Sequence, residues 1–117
     1  MAWITLKCTS DIMRGDVLSY DTTLNLYTRA NNINTPISVA QHDAIEDESN
    51  AGTYYVRSQM QGQIQAKASR DIVNQGGYVA VENGAVYVDN SNVNSNGIIW
   101  HSENARVAGD LVTITLR

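Results

Sequence analysis

Two histidines stand out among the residues whose types and spacing could support chemistry. His42 precedes Asp43, and His101 has Glu103 two residues on. A general base needs a carboxylate to orient its imidazole, so both pairs are candidates. Neighbours on a strand point to opposite faces, and a surface histidine without a catalytic role explains each pair as simply. No serine sits in the sharp strand-to-helix turn that exposes a nucleophile, and Cys8 lies in a strand-like stretch. From Asn92 to Glu103, Asn92, Asn94, Asn96, Gly97, Ile99 and Glu103 approximate the spacing of a calcium loop. The first position lacks its carboxylate, and the flanks read as strands where that motif needs helices. A solvated turn explains the same residues, and no metal is assigned. Gly76-Gly77 lacks the helix and lysine of a phosphate-cradling loop. Arg14-Gly15-Asp16 spells an integrin-recognition tripeptide, but a Gly-Asp turn leading into a strand accounts for it. Trp3, Tyr54, Tyr55, Tyr78, Tyr87 and Trp100 could stack on sugars. With no phenylalanine in the chain, these rings are expected to fill a core or a subunit interface.

These residues must be positioned by a chain of 117 residues, 43% hydrophobic and 17% charged, with net charge −4. Such a chain folds as one domain, 1–117, with one modest core. Its apolar content argues against disorder, and no apolar run reaches the ~18 residues of a membrane span. The opening MAWITLK lacks a basic region followed by an apolar stretch, so no secretory signal is expected. One cysteine excludes an internal disulfide framework. Lys7 and Lys67 are the only lysines, so direct electrostatic binding of nucleic acid is disfavoured. Asn, Ser, Thr and Gln outweigh Glu and Lys, a bias toward strands and turns.

The periodicity agrees. Ile4, Leu6 and Cys8 alternate with Trp3, Thr5 and Lys7, as in a half-buried strand. Strand-like residues lie on both sides of Asp21-Thr22-Thr23. Ile37, Val39 and Ala40 open a short strand after an Asn-rich loop and Pro36. Gln41 to Gly52 reads as an exposed loop or one helical turn. Thr53 to Ser58 is rich in β-formers, and Ile64, Ala66 and Ala68 share a face. Val79 and Val81 lead into Asn83-Gly84, and Val86 and Val88 lead out, a strong hairpin signature. Asp89 to Gly97 is a polar loop, Ile98 to Trp100 a short strand, and Asp110 to Leu116 a closing strand. The expected fold is all-β, a small barrel or sandwich of about eight short strands with at most one short helix. An internal echo links the segments at Ile12–Val17, Ile72–Val79 and Val107–Val112, each an aliphatic residue, a glycine turn and a strand. Shared strand-and-turn grammar explains it without duplication.

The segments ISVAQHDAIEDESNAGTYYVRSQMQGQIQAKAS, GGYVAVENGAVYV and AGDLVTITLR resemble the small capsid decoration (cement) proteins of tailed bacteriophages. The resemblance rests on Gly15-Asp16-Val17, on Val39-Ala40 with Asp43-Ala44, and on Gly52-Thr53-Tyr54. It also rests on the Asn83-Gly84 hairpin and on Ala108-Gly109-Asp110-Leu111-Val112. It spans Gly15 to Leu116, and Asp89 to Gly97 matches no element of the pattern. The resemblance implies a β-barrel-like homotrimer on the outer surface of the expanded head, assembled in the host cytoplasm and bound to the major capsid protein. It implies no enzymatic activity and no cofactor, membrane or nucleic-acid partner. Ala2, Trp3, Ile4, Thr5 and Leu6 are the expected capsid contact, because a chain terminus is free to pair with a partner's edge. Two other classes stay open: a carbohydrate-binding or adhesion module using Trp100, Tyr54 and Tyr55, and a β-barrel enzyme using His42 or His101. A tail or connector subunit is the nearest neighbour of the decoration reading.

Overall fold

The computed structural model describes residues 3–32, 35–71, 76–91 and 107–116 with their side chains, and residues 99–101 as backbone. The fold is all-β, with no helix among the described residues. The first sheet holds β1 (Trp3–Cys8), β2 (Val17–Asp21), β3 (Leu26–Arg29), β4 (Ser38–Ala40), β5 (Ile45–Glu46) and β6 (Tyr54–Gln59). The second holds β7 (Gly62–Lys67), β8 (Gly77–Glu82), β9 (Ala85–Val88), β10 (Ile99–His101) and β11 (Leu111–Leu116). The strands number eleven among the described residues, above the about eight expected. One that the sequence did not announce is the two-residue β5, in the stretch read as a loop or helical turn.

The first sheet closes on itself. Its order is β1-β3-β2-β4-β6, and β6 pairs back onto β1. The β1–β6 ladder is antiparallel and continuous from Trp3↔Gln59 to Cys8↔Tyr54. The opposite seam is thin, because β1 and β3 meet at one parallel pair, Cys8↔Tyr27. The second sheet runs β7-β11-β10-β8-β9 and curls until Ala68, just past β7, bridges Val86 of β9. Each sheet thereby shortens its exposed edges.

Alternation places the cores. On β11, Val112, Ile114 and Leu116 are buried and face Ala66 and Ile64 of β7. They join Val79, Val81 and Val86, and Val17, Ala30 and Val39 from the first sheet complete that cluster. A second cluster, Leu6, Cys8, Ile12, Leu18, Ala40 and Val56, fills the first barrel. Full burial of one valine is worth about 1.5–3 kcal/mol. The Asn83-Gly84 hairpin forms as its residues require, with φ of 46° and 76°.

The core half of one expectation is corrected, while the subunit-interface alternative stays open. Among the described residues, no tyrosine or tryptophan is buried in either core. Interiors enclosed by five strands are narrow, and valine, alanine and isoleucine fill them. Tyr27 and Tyr54 only pack against the edge of the first-barrel cluster.

Candidate functional site

The expected contact segment is not a loose terminus. Trp3 to Leu6 lie within β1, tied along its length to β6, and Ala2 lies outside the described residues. Leu6 is 8% exposed and belongs to the core. Trp3, Ile4 and Thr5 are exposed. Trp3 is 52% exposed, and the Arg57 guanidinium lies 4.2 Å from its ring centroid. Ile4 carries the inward parity of Leu6 and Cys8 yet is 44% exposed, because the barrel is open at its end. Before Cys8, no described strand pairs with the β3-facing edge of β1. Unpaired backbone and apolar side chains therefore occur together there.

Beside this edge the barrel mouth opens as a cleft of about 310 Å³. Ile4, Leu6, Tyr20, Tyr27, Ile37 and Met60 supply much of its lining. Tyr20 and Tyr27 meet edge-to-face, with centroids 5.2 Å apart. Ser38 also lines the cleft, and its hydroxyl, like that of Ser58, is buried without a hydrogen-bond partner. Deeper in the barrel, burial pushes the Cys8 thiol up to about 11, with the charge of Asp11 adding to the effect.

The Arg14-Gly15-Asp16 tripeptide forms a turn whose aspartate is not presented to solvent. Asp16 is 1% exposed. Its Oδ2 accepts from the Met13 N–H at 2.8 Å and from Arg29 Nε at 3.0 Å, while Oδ1 receives Lys67 Nζ at 3.1 Å. Arg29 also pairs with Asp11 at 2.8 Å. The Asp11 carboxyl sits below its ordinary range, first through the Thr9 hydroxyl and also through Arg29. This four-residue network was invisible in the sequence, where a Gly-Asp turn reads as solvated.

The internal echo has structural content at two of its three places. In the first turn, Asp16 N donates to Met13 O, and Met13 N donates to Asp16 Oδ2. Gly15 N donates to Ala40 O, Ala40 N to Asp16 O, and Arg14 N to Asp43 Oδ1. In the second, Asp110 N donates to Val107 O, and Val107 N to Asp110 Oδ2. Gly109 N donates to Ala68 O, Ala68 N to Asp110 O, and Ala108 N to Asp71 Oδ1. The two turns share all five bonds. An Ala-x-x-Asp segment, Ala40 to Asp43 or Ala68 to Asp71, serves as the partner of each. The third place includes Ile72 to Gln75, outside the described residues.

The histidine pairs fare differently. Asp43 gives its Oδ1 to Arg14 N, not to His42. Arg57 N–H donates to His42 Nε2 at 3.1 Å, and Nδ1 donates to the Asp43 carbonyl at 2.7 Å. The ring is thus a backbone tie between β6 and the segment after β4, without a carboxylate to orient it. It borders a groove of about 630 Å³ that includes Glu46, Asp47, Glu48, Tyr55 and Arg57. The side chains of His101 and Trp100 lie outside the described residues, as does most of the Asn92 to Glu103 stretch. Tyr54 and Tyr55 lie on opposite faces of β6, Tyr54 against the core and Tyr55 toward the groove. They do not form a shared stacking platform. Arg70 pairs with Glu82 at 3.0 Å and covers the Tyr87 ring at 3.8 Å.

No protein-family model, curated protein or solved structure matches the chain.

Proposed function

We propose that this chain is a capsid decoration protein that binds the outer surface of an expanded phage head and stabilises it. In this reading the chain acts as a homotrimer on the virion and contacts the major capsid protein. The observation that carries it is the exposure of Trp3 and Ile4 on β1, beside an edge that no described strand pairs before Cys8. An exposed apolar strand edge is suited to pairing with a partner chain. Repeated over a shell, weak contacts of this kind gain strength through multivalency.

The sequence resemblance supports the same reading. Its quoted pieces are also the pieces that hold the fold together. Gly15-Asp16-Val17 and Ala108-Gly109-Asp110-Leu111-Val112 contain the paired turns, and Val39-Ala40 with Asp43-Ala44 contains the partner of the first.

The test is co-sedimentation with expanded, DNA-free heads of the phage that carries the chain, with solution mass measured by light scattering. The account expects saturable binding and a trimeric mass on the shell or in solution. Absence of binding overturns it. Deleting residues 1–6 is a poor probe, because it removes most of β1 together with core residue Leu6.

A further inference from the structure

We propose that the cleft at the mouth of the first barrel is a binding site for a small uncharged molecule with an apolar or aromatic body and one hydrogen-bonding group. The site does not depend on the decoration reading.

Size, lining and one orphaned group lead to this class of ligand. The cleft holds about 310 Å³, roughly twice the ~150 Å³ of an apolar cavity that admits benzene. A single substituted ring or a short alkyl chain fits. Every described residue lining it is uncharged, and an ion placed among them would lose its water without gaining a counter-charge. The ligand is therefore neutral. The Tyr20–Tyr27 pair, edge-to-face at 70°, gives an aromatic wall, and Ile4, Ile37 and Met60 give aliphatic contact.

Ser38 supplies the polar contact. It is 3% exposed, lines the cleft, and its hydroxyl has no partner. A buried hydroxyl without a hydrogen bond is costly; the Ser38 hydroxyl is closed off from the cleft as it stands, and a rotation about its Cα–Cβ bond lets a ligand hydroxyl or carbonyl complete the bond. Ile4 and Met60 are among the exposed large hydrophobics and mark the rim, while Ser38 and Leu6 are buried below them. Entry is thus from the open end of the barrel, with the polar group of the ligand leading.

The experiment titrates the full chain with 4-propylphenol, propylbenzene and 4-propylbenzoate, following the methyl resonances of Ile4, Leu6, Ile37 and Met60. The expected result is saturable binding of the phenol with a dissociation constant of about 0.1–1 mM. Propylbenzene binds about 3–10-fold more weakly, and the benzoate does not bind. Ser38→Ala erases the preference for the phenol over the hydrocarbon and leaves the fold intact, since it removes only an unpartnered group. Met60→Trp narrows the rim and weakens the phenol at least several-fold. The proposal is overturned if the wild-type chain shows no saturable shifts at these methyls. It is equally overturned if the benzoate binds as well as the phenol, or if Ser38→Ala leaves the preference unchanged.

Discussion

The carboxylate of Asp16 receives the Lys67 ammonium at 3.1 Å, and this ion pair ties the first sheet to the second. Asp16 stands immediately before β2 and Lys67 ends β7. Arg29, from β3, holds the other oxygen at 3.0 Å. One buried anion thus serves two cations, and Asp11 supplies the second negative charge at Arg29.

Removing Asp16 leaves the Met13 N–H and the Lys67 ammonium without their acceptor, while Arg29 keeps Asp11 and both cations are about a quarter exposed, so the loss is about 1.5–3 kcal/mol. Asp16→Ala is expected to lower unfolding free energy by that amount in urea titrations. Asp16→Asn retains an acceptor for the Met13 N–H and loses less. A Asp16→Ala chain within about 1 kcal/mol of wild type would show that the network contributes little.

The two equivalent turns allow a matched comparison. Gly15 and Gly109 both have positive φ, 89° and 94°. Left-handed backbone costs an L-residue about 1–2 kcal/mol. A Cβ at Gly15 would meet Leu111 Cδ2 at 2.5 Å, whereas one at Gly109 meets nothing within 4 Å. Gly109→Ala is expected to lose about 1–2 kcal/mol, and Gly15→Ala clearly more. Equal losses in denaturant titrations would mean that Leu111 yields without cost.

These cases show what could be read from the sequence. The valines around Asn83-Gly84 and the alternation of Val112, Ile114 and Leu116 are local signals, and both elements form as read. The pairing of β1 with β6 joins residues about fifty positions apart, and no local pattern encodes it. Ile4 keeps the parity of a core residue but falls past the end of the barrel, so alternation alone misplaces it. Asp16 looks like any turn aspartate until Lys67 and Arg29 arrive from distant strands. Of the rings expected in a core or a subunit interface, Tyr54 only packs against the first-barrel cluster and Tyr87 lies under Arg70, because the narrow interiors are filled by aliphatic side chains.

Cys8 is buried, and its thiol is pushed from 9.0 up to about 11. The thiolate is the reactive form, so a disulfide reagent at pH 8 is expected to modify Cys8 only as fast as the barrel opens. Denaturant should release full reactivity at once. The shift also makes stability complete below 9.0 and progressively lost as pH rises toward 11. Stoichiometric labelling within seconds in native buffer would contradict this placement.

Asp11 and Glu82 both sit below their ordinary carboxyl values of 3.8 and 4.5, Asp11 led by the Thr9 hydroxyl and Glu82 by Arg70. A depressed folded value stabilises above the ordinary value, and that gain is lost as pH falls through the depressed one. The Asp11 side chain is 62% exposed, so its share is a few tenths of a kcal/mol. Melting temperatures of wild type and Asp11→Asn should differ slightly at pH 6 and converge as pH falls below about 4. A gap that persists or widens in acid would reverse the assignment.

The central claim is that the exposed surface of β1 binds a capsid shell. The most direct measurement is co-sedimentation of wild type, Trp3→Glu and Ile4→Glu with expanded, DNA-free heads of the tailed phage to which the proposal assigns the chain, with folding checked by circular dichroism. The account predicts saturable binding by wild type and at least tenfold weaker binding by both folded variants. Undiminished binding by both variants, or no binding by wild type, would contradict it.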